Sequence, residues 1–239
     1  MARFFFAQVV PVEYAYKTPL YRPQESKPMM RSLIIVDDFL NDPFQLRELG
    51  LKQYYPKTKK LQLYPGRDSK YPQRINGLDQ KIIELVGEPL VPVEGTSHGK
   101  FRLALDGEKG NHSVHIDNVH WTAILYLTLP EDCQDGTHLF RHKTTATDRA
   151  PHNRAELEEL GYSTQERFLE QVIYKNTNDL SSWENILTVP MRFNRLVLLR
   201  PQQYHDAGIS FGNKPENGRL IYLGAYNNAH TAKMVNSAP

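Results

Sequence analysis

The feature of this sequence that most limits its fold is a series of short apolar segments after residue 100, separated by turn-forming residues. Glycine, proline and asparagine lie between these segments, as in DGEKGN and GNKPENG. Each segment is short for a core helix and has the length and the branched or aromatic residues typical of a buried strand. The predicted strands are KFRLAL, HSVHID, WTAILYLTL, a short strand in PEDCQDGTHLFRH, FNRLVLLRP, QQYHDAGISF and GRLIYLGAYN. Such a succession of short strands predicts a β-sandwich or barrel core.

Helices are predicted mainly before this region, with two further helical stretches inside it, the second of which starts at STQERFLEQVIYK. NDPFQLRELGLK has Asn41 or Asp42 as its N-cap, followed by a proline in the first turn, where a missing N–H costs nothing. GLDQKIIELVGEPL has an apolar face and stops at Gly87. In STQERFLEQVIYK, Ser163 and Glu166 have the spacing of a capping box. The fold class predicted is therefore α+β, mainly β.

The chain is expected to form one domain over its full length, residues 1–239. Residues 1–99 hold the first strands and the packing helices, and MARFFFAQVV is interpreted as an opening strand. Residues 100–228 hold the β core, residues 141–192 a helical insert within it, and residues 229–239 a C-terminal tail. A chain of this length can bury a core without disulfides or structural metals.

Composition excludes several classes of protein. The formal net charge of +2 is too small to indicate a nucleic-acid or membrane partner. Cys133 is the only cysteine, so no disulfide can form within the chain and a reducing compartment fits. No apolar run is long enough to cross a bilayer, and the N-terminus lacks the pattern of a signal peptide. We therefore expect a cytoplasmic protein, and its oligomeric state is left open.

Chemistry is first indicated in HSVHIDN, where His115 and Asp117 are two residues apart. In an extended segment such residues point to the same face, so an imidazole and a carboxylate can bind adjacent positions of one metal ion. A third protein ligand would leave the other octahedral positions open, which suits ferrous iron that binds a co-substrate and dioxygen. Taken alone the spacing is also compatible with an ordinary turn.

A second group of residues lies downstream, in LVLLRPQQYHDAGISF and GRLIYLGAY. His205 begins a predicted strand after a break at Pro201, and Arg219 opens the next strand. An arginine that faces the inside of a β core is unfavourable unless an anion or a carboxylate pairs with it. A bound dicarboxylate would satisfy the guanidinium with bidentate hydrogen bonds.

In order and spacing, residues 100–228 resemble the iron(II)- and 2-oxoglutarate-dependent dioxygenases, particularly their prolyl-hydroxylase-like branch. The resemblance rests on HIDN, AILYLTL, DGTHLF, LVLLRP with the following YH, and GRLIYLGAY. IIVDDFL and YPG also resemble a bacterial group of uncharacterised proteins in this superfamily. The resemblance implies a double-stranded β-helix, the jelly-roll or cupin-like core, preceded by packing helices.

The resemblance also implies roles for individual residues. His115, Asp117 and His205 would be the catalytic iron ligands, and the cofactors would be Fe(II), 2-oxoglutarate and dioxygen. Arg219 would bind the far carboxylate of 2-oxoglutarate, and Tyr126 would donate a hydrogen bond to it. The family pattern is not matched everywhere: the interval from His205 to Arg219 is long, DGTHLF replaces a glycine pair, and the insert is unexplained. We interpret the insert as a lid and specificity element.

Other histidines allow alternative interpretations. His112 lies three residues before His115, which favours a turn or surface role. His120 lies at the corner before a strand, where it could contact substrate or cap the corner. His138 and His142 flank HLFRH and form a less favoured alternative metal site.

Three basic residues and a tryptophan belong to the insert. Arg141, Lys143 and Arg149 are either part of a solvated loop or recognise a carboxylate or phosphate of the substrate. Trp183 is either a packing residue or an aromatic wall of the substrate site. Arg141, His120 and Trp183 are therefore the substrate-contact hypotheses.

The resemblance implies hydroxylation of an unactivated C–H bond, with succinate and carbon dioxide as co-products, and we expect the substrate to be a small molecule such as an amino acid or a biosynthetic intermediate. A carrier- or peptide-tethered substrate, desaturation and cyclisation stay open. In the superfamily that the chain resembles, halogenases have a small residue in place of the aspartate, so Asp117 disfavours a halogenase. Nucleic-acid demethylases of that superfamily carry a second arginine six residues after the first, so Ala225 disfavours a demethylase. The alternatives are a non-catalytic jelly-roll protein that binds a metal or senses a ligand, and a plain structural domain.

Overall fold

The computed structural model of the protein describes residues 30–57 and 63–230. The predicted opening strand, the proline-rich segment before residue 30 and the tail from residue 231 lie outside the described residues. The strands are β1 (Leu33–Val36), β2 (Arg67–Asp68), β3 (Leu90–Pro92), β4 (Phe101–Ala104), β5 (Trp121–Tyr126), β6 (Gly136–His142), β7 (Trp183–Pro190), β8 (Leu196–Leu199), β9 (His205–Asp206) and β10 (Arg219–Asn228). The α-helices are α1 (Pro43–Leu51), α2 (Leu78–Val86), α3 (Arg154–Glu159) and α4 (Gln165–Phe168).

Two antiparallel sheets form the framework. The larger has the strand order β1-β8-β5-β10-β4-β2, and β3 pairs with the second half of β10. The smaller has the order β7-β6-β9. The predicted fold, mainly β with a few helices, is confirmed in these terms.

The two faces of the large sheet have different environments because side chains alternate along each strand. On β10, Leu220 and Tyr222 pack with residues of α1 and α2, whereas Ile221 and Leu223 pack with residues of the opposite face. Each fully buried side chain of this kind contributes about 1.5–3 kcal/mol of hydrophobic stabilisation. The helix-covered face includes Leu46, Ile82, Val86, Phe101, Leu103, Leu125, Leu198, Leu220 and Tyr222. The opposite face is therefore the one available for a site.

Capping residues explain where the helices begin and end. The Asp42 side chain accepts a hydrogen bond from the backbone of Gln45, which selects it over Asn41 as the N-cap of α1. Gly87 ends α2 in the left-handed conformation, as the sequence predicts. The prediction for α4 was wrong by one residue. Thr164, and not Ser163, caps that helix, since the Thr164 hydroxyl accepts from the backbone of Arg167.

The insert combines helices with a strand. After α4 the chain continues as a π-helix, Leu169–Tyr174, and then returns as β7, which pairs with β6. Apolar residues of the insert pack on the segment before β5 and on the small sheet, in a cluster with Val114, Phe140, Leu157, Phe168, Val172, Trp183 and Tyr204. The sequence predicts helices here and misses β7, whose central residues are exposed and lack the alternation of a half-buried strand.

One predicted strand is absent from the structure and another is shorter than predicted. HSVHID forms no strand, and only an isolated antiparallel bridge joins His115 to His205. Within QQYHDAGISF only His205 and Asp206 are in a strand. No helix in the described part of the chain is long and apolar enough to span a membrane.

Candidate metal centre

Backbone pairing brings two distant histidines side by side. The N–H of His115 donates to the carbonyl of His205 over 2.9 Å, and the N–H of His205 donates back over 3.1 Å. Asp117 is fixed to the same strand connection, because its N–H donates to the carbonyl of Pro201 over 3.0 Å. The bridge thus sets the two imidazoles and the carboxylate on one side of the chain.

Hydrogen bonds to main-chain carbonyls set the orientation of both imidazoles. Nδ1 of His115 lies 2.7 Å from the carbonyl oxygen of Ser113, and Nδ1 of His205 lies 2.8 Å from that of Gln203. A carbonyl can only accept, so each Nδ1 carries the proton and each Nε2 has a lone pair when the ring is neutral. The two Nε2 atoms lie 3.7 and 3.5 Å from the oxygens of Asp117.

The three side chains offer one ligand atom each within 4.8 Å of one another. Two imidazoles and one carboxylate form the ligand set of non-haem ferrous sites, so the donor chemistry fits that metal. Among the described residues, this is the only group of three or more histidine, cysteine or acidic residues with such spacing.

Burial and mutual charge determine the protonation of the group. Burial and the neighbouring His205 lower the pKa of His115 to about 4. Burial alone would raise the pKa of Asp117, but hydrogen bonding and charge attraction from the histidines outweigh it, and the net shift is downward. The interaction with Asp117 likewise outweighs burial for His205 and raises its pKa. An ionised carboxylate beside imidazoles is the form that a metal ion binds.

Tyr64 is a residue of this centre that the sequence analysis did not identify. Its hydroxyl donates to Oδ1 of Asp117 over 3.0 Å, from 53 residues earlier in the chain. Its ring lies 4.2 Å from the ring of His115, between centroids. The other oxygen of Asp117 accepts from the hydroxyl of Thr122 over 3.2 Å. Tyr64 is the tyrosine of YPG, which signals only a turn, and no local pattern indicates the partner of its hydroxyl.

A cavity of about 640 Å³ lies beside the metal ligands. Alternate residues of β10, from Arg219 to Asn227, line it on the face of the sheet opposite the helices. Thr122, which bonds to Asp117, pairs with Ala225 towards the second half of that strand. The cavity therefore extends from Arg219 past the metal ligands, and its volume is in the range of small-molecule sites.

Arg219 is the group in this cavity whose surroundings most require a ligand. Its side chain is 2% exposed, and Nη2 is buried without a hydrogen-bond partner among the described residues. Burial lowers the pKa of Arg219, because a charged guanidinium is unfavourable away from water. Such a guanidinium is stabilised by a bound anion.

Two hydroxyls lie on the same side of the sheet as Arg219. Tyr126 pairs with Ile221, two residues along β10 from Arg219, so its side chain projects to the same face. Its hydroxyl lies 2.7 Å from that of Thr137, and both residues are fully buried. In the sequence, Thr137 differs from the glycine pair of the dioxygenases, and nothing local indicates its contact with Tyr126.

Comparison with known proteins gives a family. A family model, the family of unknown function DUF6445, matches residues 21–223. The chain belongs to the DUF6445 family. None of the curated proteins matches this DUF6445 chain.

Solved structures give distant similarities to the DUF6445 chain. HygX from Streptomyces hygroscopicus, with nickel, 2-oxoglutarate and hygromycin B bound, is 12% identical, with a TM-score of 0.46 and 83% of each chain covered. SnoK, a non-haem α-ketoglutarate-dependent carbocyclase from nogalamycin biosynthesis, is 13% identical, with a TM-score of 0.48 and 87% of each chain covered. An N-substituted L-amino acid dioxygenase from Burkholderia ambifaria AMMD is 12% identical, with a TM-score of 0.36 and 82% of each chain covered. Similarity at this level assigns no role to any residue.

The predicted metal ligands are brought together in this DUF6445 protein, but the predicted substrate contacts are not. Arg141, His120 and Trp183 are absent from the described residues that line the cavity. Arg141 is exposed beside Glu184, with 3.5 Å between Nη1 and the carboxylate. Trp183 is buried, and its indole N–H donates to the carbonyl of Asn176 over 2.9 Å.

The remaining histidines have partners of their own. His120 lies 2.8 Å from the carboxylate of Glu88 and also contacts Arg200, so it belongs to an ion-pair group where β5 begins and β8 ends. His138 lies between two carboxylates, and His142 is hydrogen-bonded to Thr145. Of the insert, residues 141–192, none is among the described residues that line the cavity.

Proposed function

We propose that the protein is an iron(II)- and 2-oxoglutarate-dependent oxygenase that hydroxylates a C–H bond of a small molecule. One observation carries the proposal. A His-Asp-His ligand set and a buried arginine, whose Nη2 has no hydrogen-bond partner among the described residues, line the same cavity. The ligand set fits a ferrous ion, and the arginine fits a carboxylate. A 2-oxo dicarboxylate is a co-substrate that can bind the metal at one end and the arginine at the other.

His115, Asp117 and His205 would hold the iron. Ferrous iron and 2-oxoglutarate, when bound, supply an oxidation in which dioxygen and 2-oxoglutarate yield succinate, carbon dioxide and a hydroxylated substrate. The main-chain carbonyls of Ser113 and Gln203 keep each Nε2 turned to the metal position. A carbonyl that accepts a hydrogen bond from Nδ1 fixes the tautomer of a histidine that binds a metal through Nε2.

Arg219 would bind the carboxylate of 2-oxoglutarate that is remote from the metal. Its guanidinium gains the acceptor that the described protein atoms do not provide. The hydroxyls of Tyr126 and Thr137, already 2.7 Å apart, would supply further donors to the same carboxylate. A buried carboxylate that accepts several such hydrogen bonds is held in one orientation.

The finer features belong to the same proposal. We propose that the two sheets are the halves of a double-stranded β-helix in a single domain, of the prolyl-hydroxylase-like branch, acting in the cytoplasm.

The substrate would lie beyond the metal ligands, where Thr96, Ser97, Asn118 and Asn227 line the cavity with neutral polar groups. This lining supports a small molecule, such as an amino acid or a biosynthetic intermediate, free or tethered to a carrier or peptide.

The test compares the wild-type protein with Asp117→Ala and Arg219→Gln. Anaerobic addition of ferrous iron and 2-oxoglutarate to the wild type should give a weak visible charge-transfer band, and air should then give slow succinate formation. Asp117→Ala should lose both because a metal ligand is gone. Arg219→Gln should keep the metal and require about 10- to 100-fold more 2-oxoglutarate, the loss expected for hydrogen bonds to a charge.

Arg141→Gln is the matched control, since Arg141 is exposed and outside the cavity lining. It should behave as the wild type in every measurement. Binding of iron without 2-oxoglutarate or succinate formation would favour the non-catalytic metal-binding alternative. Full activity of Asp117→Ala would refute the ligand assignment.

A further inference from the structure

We infer that Tyr64 is a positioning residue for the metal-binding carboxylate of Asp117, and that Gly110 permits this by allowing the backbone of residues 63–64 to approach. The inference rests on the proposed function, because it takes Asp117 as a metal ligand. It adds a part of the chain before the β core to the metal centre.

Tyr64 and Thr122 hold the two oxygens of one carboxylate. The Tyr64 hydroxyl donates to Oδ1 over 3.0 Å, and the Thr122 hydroxyl donates to Oδ2 over 3.2 Å. A carboxylate otherwise rotates easily about its last bond, since that torsion has broad minima. Donors on both sides restrict it to one plane, and hydrogen-bonded ligands of this kind bind metals more tightly.

The Tyr64 ring is itself fixed by groups that are not metal ligands. The guanidinium carbon of Arg102 lies 5.4 Å from the centre of the Tyr64 ring. Arg102 is anchored in turn, because its Nε donates to the carboxylate of Asp68 over 2.6 Å. The second oxygen of Asp68 accepts from the hydroxyl of Ser97 over 2.6 Å. The phenol is thus directed at Asp117 before any metal binds.

The backbone of the Tyr64 segment is docked on the loop that leads to His115. The N–H of His112 donates to the carbonyl of Leu63 over 2.9 Å. A Cβ at Gly110 would lie 2.5 Å from the carbonyl carbon of Tyr64 and 2.6 Å from its Cα. Main-chain atoms cannot rotate away as the end of a side chain can, so any other residue at position 110 would displace Tyr64.

If the Tyr64 ring only packed against its neighbours, the Tyr64 hydroxyl would not be needed for metal binding. Tyr64→Phe keeps the ring, its contact with His115 and its contact with Arg102, and removes only the donor to Asp117. If Tyr64 acts by filling space, this variant should bind metal as the wild type does. If it acts by holding the carboxylate, metal binding should weaken while the apo protein stays folded.

The experiment measures binding of Ni²⁺ and Co²⁺ to the apo protein by calorimetry, with the visible spectrum of the Co²⁺ form and the apo melting temperature as further readouts. Tyr64→Phe should raise the Kd about 10- to 100-fold, the usual effect of removing a hydrogen-bond partner of a metal ligand. The Co²⁺ spectrum should also change. Thr122→Val should act in the same direction because it frees the other oxygen.

Two matched controls separate positioning from general destabilisation. Tyr55→Phe removes a phenolic hydroxyl that donates to the carbonyl of Gly50. Tyr55 is not among the described residues that line the cavity. Gly107→Asn changes a glycine of the same loop whose Cβ would meet no atom within 4 Å, and asparagine tolerates its positive φ of +77°. Both controls should leave the Kd and the Co²⁺ spectrum unchanged, whereas Gly110→Ala should reproduce the effect of Tyr64→Phe.

The outcomes distinguish this inference from the proposed function. Wild-type affinity and an unchanged Co²⁺ spectrum for Tyr64→Phe would overturn the role of Tyr64 and leave the metal centre intact. A wild-type protein that binds neither Ni²⁺ nor Co²⁺ would overturn the metal centre and the role of Tyr64 with it. If Tyr64→Phe does not fold, an unchanged Kd for Thr122→Val and Gly110→Ala overturns the inference.

Discussion

The histidines of the metal centre differ from His138 on the neighbouring strand β6 because their ring nitrogens have different partners. Both Nδ1 atoms of His115 and His205 face main-chain carbonyls, so each neutral ring keeps a lone pair for a metal. His138 instead lies 2.7 Å from a carboxylate oxygen of Asp135 and 2.9 Å from one of Asp206. Both of its nitrogens must donate, and hydrogen bonding to Asp206 raises its pKa to about 9.

The pH dependence of stability tests the charge of His138. Its folded pKa lies above the usual 6.5, so the stabilisation is full below about pH 6.5 and is lost as the pH rises through about 9. His138→Gln should therefore lower the free energy of unfolding by about 2–3 kcal/mol at pH 6 and by much less at pH 10. Urea unfolding of both proteins at the two pH values measures the difference.

His112→Gln is the control for this prediction, since the structure describes no ion pair of the His112 ring. It should cost little at either pH. An equal loss of stability for His138→Gln at pH 6 and pH 10 would show that packing, and not charge, accounts for the effect.

At the scale of elements, the insert is tied to the metal-bearing segment rather than to the cavity. The N–H of Val114 donates to the carbonyl of Thr177 over 3.0 Å, and the Thr177 hydroxyl donates back to the carbonyl of Val114 over 2.8 Å. The amide of Asn178 donates to the carbonyl of Asn111 over 2.8 Å. These bonds hold residues 111–114 beside His115, which gives the insert a supporting role that needs no movement.

Thr177→Val tests that support. The valine has nearly the same shape but leaves the buried carbonyl of Val114 without its hydroxyl donor, which should cost about 1–3 kcal/mol of unfolding free energy. Affinity for Ni²⁺ should fall as well, because the segment before His115 is less restrained. Urea unfolding and calorimetry measure the two effects. Thr188→Val, at an exposed position of β7, should change neither, and unchanged Ni²⁺ affinity for Thr177→Val would contradict the supporting role.

At the scale of the whole molecule, the metal ligands join segments that are far apart in the chain. His115 precedes β5, and His205 begins β9 of the smaller sheet. Only the folded chain brings their Nε2 atoms to the same carboxylate, so a metal ion would bind the native state and not the unfolded chain. Metal binding should therefore stabilise the fold by mass action.

Thermal unfolding measures this stabilisation. A metal at 100 times its Kd should add about 2.7 kcal/mol, and a chain of this size should then melt about 5–10 °C higher. Ni²⁺ avoids oxidation during the scan, and a chelator should reverse the shift. Asp117→Ala should show no shift, and a similar rise in that variant would indicate binding elsewhere.

Local sequence patterns determined the class of fold and part of the site. Turn residues between short apolar segments indicate the strands β4, β5, β8 and β10, and capping chemistry gives the ends of α1 and α2. The pair His115 and Asp117 is visible because it needs only a short extended segment. Such signals work because turn, capping and alternation energies act over a few residues.

The tertiary structure determines which distant residues each side chain and strand contacts. β7 lacks a strand pattern of its own and is extended because β6 pairs with it, across a close approach at Gly136 that a Cβ would block. The hydroxyl of Tyr64 donates to Asp117, His138 lies between two carboxylates, and Nη2 of Arg219 has no hydrogen-bond partner in the described part of the chain. These are contacts between distant segments, and packing of the whole chain sets them, since no local preference of a residue encodes its partner far along the sequence.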